Sequence, residues 1–358
     1  MRHFLVALTS LFLLFISTCK QPVGPPRNGD TEKTLVWQVD TLGPGGNYSS
    51  QMQDIWAIDS SNIYVAGYAT GVRGDYPMHT MFHFDGGGWA TTGFHIFEGG
   101  PIQGITWFSS VLAFSSESIW MVGERLIPNP NPRPNFVDSS LILRFNGSVW
   151  EEDKVVGTRL YTIWGTSPGD VWTGSRDGKL FHSDGSTWTM WAAPREVHIV
   201  SITGFSSENV YALGTTPFGS SPRILYFFHW NGSAWSTKDS TIEQVGAPSG
   251  FGRAGIRVVG QHLLSFGYGV FRWEGTGWTL MAYDDQSWFA DVFGRSSDDF
   301  YIAGSEGKVF HYRLGQLSSM KPVSDSQIEY LAGHFKDEFV TIVGVIDAQS
   351  VVLRGTFR

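Results

Sequence analysis

Apolar and polar positions along this chain repeat with a long period. Ile55–Gly67 (IWAIDSSNIYVAG) places two short apolar runs around a polar turn and ends on glycine. Val111–Gly123 (VLAFSSESIWMVG) aligns with it without a gap. The pattern returns at Ile163–Gly174, Ile202–Gly214, Ile256–Gly267, Val292–Gly304 and Leu331–Gly344. Runs of four or five apolar residues bounded by turn residues predict strands, here termed a and b. A second strand pair, c and d, follows each time, as in Met81–Phe84, Asp85-Gly86 and Trp89. The turn recurs as Asn146-Gly147, Asp184-Gly185, Asn231-Gly232 and Glu274-Gly275, with Trp150, Trp188, Trp235 and Trp278 three residues after the glycine. Asn-Gly and Asp-Gly suit the positive φ angles of a type I′ hairpin turn. The sixth repeat is worn at this place, Leu314-Gly315-Gln316-Leu317. Seven all-β units of roughly 40–55 residues predict an all-β, seven-bladed β-propeller.

The last repeat ends at strand c, because Ser350–Arg358 supplies only one strand. Leu35-Val36-Trp37-Gln38-Val39 carries the Trp signature of strand d and precedes the first full repeat. The N-terminal strand is therefore expected to complete the C-terminal blade and close the ring, removing the open sheet edges. Insertions fall between strands b and c: Tyr68–Thr80, Glu124–Ser140 and Thr215–Pro222. In a propeller the b–c and d–a connections share one face. Blades one, two and four therefore elaborate that face, and loops on a rigid scaffold are where binding concentrates.

Composition agrees with a turn-rich β protein: 43 Gly, 26 Phe, 15 Trp and only 16% charged residues. The net charge is −8 and no basic run occurs, so nucleic acid is not an expected partner. The single cysteine, Cys19, allows no disulfide within the chain. It follows a basic start, Met1-Arg2-His3, and an apolar run over Phe4–Ile16. That run is too short to span a bilayer of about 30 Å. Ile16-Ser17-Thr18-Cys19 resembles the bacterial lipoprotein signal, although Thr18 stands where Gly or Ala is usual. The resemblance implies that 1–18 is cleaved and Cys19 acylated, placing the protein at the bacterial cell envelope through a lipid anchor in the membrane. The alternative is an ordinary signal and a secreted protein. Residues 19–33, rich in Pro, Gly and polar groups, read as a flexible tether, leaving 34–358 as the propeller.

Candidate chemistry is sparse. Strand c carries one basic or imidazole residue per blade: His83, Arg144, His182, His229, Arg272, His311 and Arg354. Equivalent residues of neighbouring blades stand too far apart for a metal, whose ligands converge at about 2.0–2.3 Å. They are expected to serve structure between blades, opposite small residues such as Gly88, Thr187, Ala234 and Gly277, with the Trp opposite the preceding residue (Phe82, Leu143, Phe181, Phe228, Phe271). Gly165-Thr166-Ser167-Pro168-Gly169 matches the G-x-S-x-G string but lacks the following helix that a hydrolase elbow needs. Asp170, Asp299, Glu338, Asn62 and Asn209 fall at the a–b turn and read as turn chemistry. Glu151, Glu152, Asp153, Asp284 and Asp285 read as a solvated rim. No phosphate-cradling glycine loop and no calcium loop occurs, so neither a cofactor nor a metal is expected. The best binding candidates lie in the insertions: Arg73, Asp75, Tyr76 and His79; Asn129, Asn131 and Arg133; and Phe218 and Arg223. Arg and aromatic residues anchor interfaces.

The phrase Ile163–Trp172, followed by Gly178–Trp188, resembles a repeat of bacterial secreted propellers related to the photosystem II assembly-factor type, and more distantly to kelch and sialidase-type propellers. The kelch double glycine is absent, and Asp184 and Gly185 are adjacent where the sialidase box spaces them by one. The resemblance covers nearly all of 34–358 and implies binding or assembly at the envelope, through a protein or glycan partner. The competing expectation is a carbohydrate-active enzyme with its site at the mouth of the central channel. It requires carboxylates and an arginine converging from several strand a starts. The strand a residues Trp56, Leu112, Trp164 and Phe293 suggest instead an apolar or small lining.

Overall fold

The computed structural model describes residues 35–43, 48–71, 79–92, 94, 105–128, 136–155, 157–324 and 327–358. The propeller is the unit Leu35–Arg358. Cys19 and the expected signal segment and tether lie outside the described residues.

Seven four-stranded antiparallel sheets make seven blades. Blade one, for example, runs from the inside outward as Tyr48–Asp59, Asn62–Gly71, His79–Phe84 and Trp89–Thr92. The inner strands of the other blades begin at Ile105, Leu160, His198, Gly255, Phe289 and Glu329. Seven buried apolar clusters lie between neighbouring blades. That between blades three and four joins Trp172, Leu180, Ile202 and Phe228. Each cluster forms because alternate residues of a strand face opposite sides of its sheet, and both sides of a blade are covered.

The ring closes as the sequence implies. Leu35–Leu42 is the outer strand of blade seven, paired antiparallel with Gln349–Phe357 from Leu35↔Phe357 to Leu42↔Ser350. Asp40 receives two bonds from the Arg354 guanidinium, the shorter at 2.6 Å, and one from the Trp89 indole of blade one at 3.1 Å. The Ser350 amide donates to Ser50 Oγ at 2.6 Å, and the Met52 amide donates to Ser350 Oγ at 2.9 Å, locking blade seven to blade one.

The recurring glycine has a physical cause. Near its start, strand a carries a β-bulge in six blades, at Met52/Asp54, Phe108/Ser110, Leu160/Thr162, Ile199/Ser201, Phe289/Asp291 and Tyr330/Ala332. Gly67, Gly123, Gly214, Gly304 and Gly344 pair with the residue just before the bulge. The backbones close in there: a Cβ on Gly67 would stand 2.5 Å from the Gln51 carbonyl oxygen. In repeat three Ser175 takes this place, one residue beyond Gly174.

Three expectations change. The hairpin turn is not type I′, because Gly86, Gly147, Gly185, Gly232 and Gly275 have positive φ but the Asp, Asn or Glu before each does not. Instead, the Asp85 carboxylate accepts the Gly87 and Gly88 amides at 2.8 and 3.0 Å, and Asn146 and Asp184 act alike. The hairpin register is two residues from that expected. Trp89 pairs with Phe84, while His83 pairs with Ala90 and His182 with Thr189. A shift of two keeps every side chain on its expected face. The insertion in blade two is strand rather than loop over much of its length, since Glu124–Pro128 pairs with Phe136–Ser140.

Candidate functional site

The strand c bases bond chiefly within their own blades. His182 reaches Asp170 at 2.8 Å, His311 reaches Asp299 at 2.7 Å and His229 reaches Asn209 at 2.9 Å. Each ring lies over the strand b aromatic beside it, as His182 over Trp172 with centroids 4.3 Å apart and His311 over Tyr301 at 4.4 Å. Asp170 also accepts the Trp172 indole N–H at 3.0 Å. Burial opposes ionisation of Asp170, yet His182, Thr166 and Trp172 bring its pKa below the ordinary value. Asp170, Asp299 and Asn209 thus anchor the strand c base, beyond local turn chemistry, whereas Asn62 bonds Asp59 within its own turn. Arg354 and Arg144 also reach the next blade: the Arg354 guanidinium lies 4.0 Å from the centre of the Phe84 ring, and Arg144 donates to the Gly185 carbonyl at 3.4 Å. Gly165–Gly169 closes strand a and turns directly into the strand starting at Asp170, with no helix.

Two places bring chemistry together. The first is the face carrying the b–c and d–a connections. Phe218 is 65% exposed, with the Arg223 guanidinium 5.9 Å from its ring centre and the His198 ring 5.0 Å away. Arg223 pairs with Glu243 at 3.1 Å, and Arg253 pairs with the same carboxylate at 2.8 Å. The Glu243 side chain is nearly buried. Arg253 in turn lies over Trp288 at 5.1 Å, and Tyr268 meets Trp288 edge-on at 4.8 Å. The result is a strip of alternating aromatic and guanidinium groups across blades four to six. Ile242 and Val245, 56% and 82% exposed, stand at the end of the outer strand of blade four, where Ile242 pairs with Ile224 and the Glu243 amide donates to the Arg223 carbonyl.

Of the candidate binding residues, Phe218 and Arg223 are brought together. His79 stands in blade one, half-buried and paired with Ala69, and burial lowers its pKa. Arg73, Asp75, Tyr76, Asn129, Asn131 and Arg133 lie outside the described residues. Sequence reading missed His198, Glu243, Arg253 and Trp288, at a strand start and in d–a connections, and Tyr268, in the short b–c connection of blade five, where no insertion drew attention.

The second place is the central channel. Its lining is charged as well as apolar, which departs from the apolar or small lining suggested by the strand a residues and matches the convergence of carboxylates and an arginine that the enzyme reading requires. Asp54, Arg257, Asp291 and His334 converge there from blades one, five, six and seven. Asp291 accepts the Gly333 amide of blade seven at 2.9 Å and its neighbour Val292 at 2.8 Å, and pairs with Arg257 at 3.1 Å. Arg257 also donates to the Gly333 carbonyl at 2.8 Å. Asp54 accepts the Val111 amide of blade two at 2.9 Å and the Ser110 hydroxyl at 2.6 Å. Hydroxyls do the same work in blades three and four: Thr162 accepts the Ile202 amide, and Ser201 the Ile256 amide.

Burial raises the pKa of Asp54, and raises that of Asp291 to about 6; for Asp291 Arg257 opposes the shift and Asp54 adds to it. His334 is held neutral: burial, with Arg257 and Lys336 nearby, lowers its pKa to about 3, and its Nδ1 accepts the Ala57 amide at 3.3 Å. One sequence signal was available. The residue just before each repeat's first aliphatic is polar in five blades, namely Asp54, Ser110, Thr162, Ser201 and Asp291.

Fold and inner-strand geometry define a seven-bladed propeller whose blades are tied by side chains bonding the next blade's backbone. No family model matches the chain, and no curated protein matches it. Among solved structures it is similar to YCF48 bound to D1 peptide, with a TM-score of 0.62 at 14% identity over 89% of this chain and 96% of that one. It is similar to YCF48 from Cyanidioschyzon merolae, with a TM-score of 0.59 at 14% identity over 89% and 98%. Raptor from Chaetomium thermophilum gives 0.56 at 10% identity, covering 92% of this chain and 29% of that one. At these identities the likeness is one of fold, and it agrees at that level with the resemblance to photosystem II assembly factors.

Proposed function

We propose that the protein is a recognition or assembly propeller of the bacterial cell envelope, held by a lipid on Cys19, that binds a protein partner through the face bearing the b–c and d–a connections. The carrying observation is the blade four rim, where Phe218, Ile242 and Val245 are more than half exposed beside the Arg223 guanidinium. Exposed aromatic and Arg groups supported by buried partners are the residues that anchor interfaces. The peptide bound by YCF48 supports a protein as the partner class.

The outer strand of blade seven starts at Leu35 beside Phe357, on the face of the a–b and c–d turns.

The test is a crosslinked pull-down from native envelopes with the lipidated protein, a Phe218→Ser/Val245→Ser variant and a Cys19→Ser variant. Capture of one partner by the parent and its loss with the rim variant is the expected result. Equal capture by parent and rim variant refutes the proposed face. Release of the Cys19→Ser protein into the soluble fraction is expected, and its retention refutes the anchor.

A further inference from the structure

The channel holds a cavity of about 440 Å3, within the roughly 300–1,000 Å3 of small-molecule sites. Its wall carries charge of both signs. Arg257 supplies a guanidinium, and Asp54 and Asp291 supply carboxylates. A ligand with a net charge of either sign would meet a like charge here at short range. A neutral ligand rich in hydroxyls would not, and could both donate to the carboxylates and accept from the guanidinium.

The bulges add a second layer to the wall. Each pushes one extra residue toward the axis, and these include Gln53 and Tyr161, both part-exposed. The part-exposed rings of Trp56 and Trp164 also line the cavity. Aromatic rings beside hydrogen-bonding groups suit the apolar C–H face and polar rim of a sugar ring. The polar groups are already fixed: Arg257 by the Gly333 carbonyl and Asp291, Asp54 by Ser110 and Val111. Such fixing lowers the ordering cost of binding.

We propose that this channel is a binding site for a neutral carbohydrate of one or two rings, hydrogen-bonded by Arg257 and Asp54 and packed on Tyr161, Trp56 and Trp164. The site binds rather than hydrolyses. Both carboxylates hold backbone amides of the following blade, whereas the acid and nucleophile or base of a glycosidase must turn their oxygens to the glycosidic bond and water. The proposal is independent of the protein-binding face.

The test is calorimetric titration of the full chain with maltose, cellobiose and N,N′-diacetylchitobiose, with glycine betaine and putrescine as charged and zwitterionic controls. Parallel titrations use Tyr161→Ala and Gln53→Ala in the channel and Phe218→Ser on the outer face. Circular dichroism and the melting temperature check that each variant is folded. The expected result is saturable binding of at least one disaccharide, weakened tenfold or more by Tyr161→Ala and unchanged by Phe218→Ser. No heat from any of the three sugars at about 50 mM overturns the proposal, since that limits any affinity to the weakest range. Sugar binding unaltered in both channel variants overturns the location, and tighter binding of either control overturns the ligand class. Partner capture by the outer face is read separately, so the two proposals fail separately.

Discussion

At the scale of single residues, the energetic interest lies in Asp291. Its folded pKa of about 6 stands above the ordinary 3.8, so the folded protein binds this proton more tightly than the unfolded chain does. The stability this contributes is full below the unfolded value and is lost as pH rises through the folded one. Asp291→Asn removes that loss. Denaturant titrations at about pH 4.5 and 7.5 should show the variant losing roughly 2 kcal/mol less than the parent across the interval. An unchanged pH slope would place the proton elsewhere. Gly333 makes a different demand. A Cβ there would land in the Phe293 ring of the preceding blade. Gly333→Ala should cost about 1–3 kcal/mol from overpacking, and Phe293→Leu in the same chain should recover part of it by thermal melting. Neither role was visible from residue type alone. Asp54 and Asp291 share one place in the repeat, but their meaning depends on which backbone amide of the next blade faces them. That is a contact between sequence-distant strands.

At the scale of elements, the inner strand pair is the unit that the sequence displays best. Its glycine is legible because the bulge opposite leaves no room for a side chain, so the mark recurs wherever the geometry does. Hairpin register was less legible. Counting from the turn glycine places Trp89 against Phe82, whereas the Asp85 carboxylate caps a longer turn and sets Trp89 against Phe84. The mixed blade was readable because a strand with a Trp and no repeat of its own must find an edge. Its stability rests on Asp40, which burial would neutralise but which Arg354 and Trp89 keep at a lowered pKa. Asp40→Ala leaves both donors unpaired in a largely buried place and should cost about 2–4 kcal/mol in urea unfolding. Asp40→Asn, which retains one acceptor, should cost less.

At the scale of the whole molecule, the propeller has two unlike faces. One carries the a–b and c–d turns, with Asp59, Asp85, Glu117, Asp184 and Glu208 exposed. The other carries the aromatic and arginine strip. The sequence signalled which face is elaborated through its insertions, but it could not show that Phe218, Arg223 and Arg253 share a surface with Trp288 across three blades. Since Phe218 and Val245 are largely exposed, Phe218→Ser/Val245→Ser should leave unfolding free energy within about 0.5 kcal/mol of the parent while abolishing partner capture; a large loss of stability would mark the patch as structural. The closure of blade seven has a consequence in time. Asp40 and Arg354 are 314 positions apart, and Ser50 and Ser350 are 300. Synthesis delivers the first strand of the ring at the start and its only pairing edge at the end. A chain stalled anywhere before Gln349 leaves Leu35–Leu42 without its hydrogen-bonding partner and blade seven without an outer half. The ring therefore forms after synthesis has passed its final strand, and until then the protein presents an open sheet edge to its surroundings.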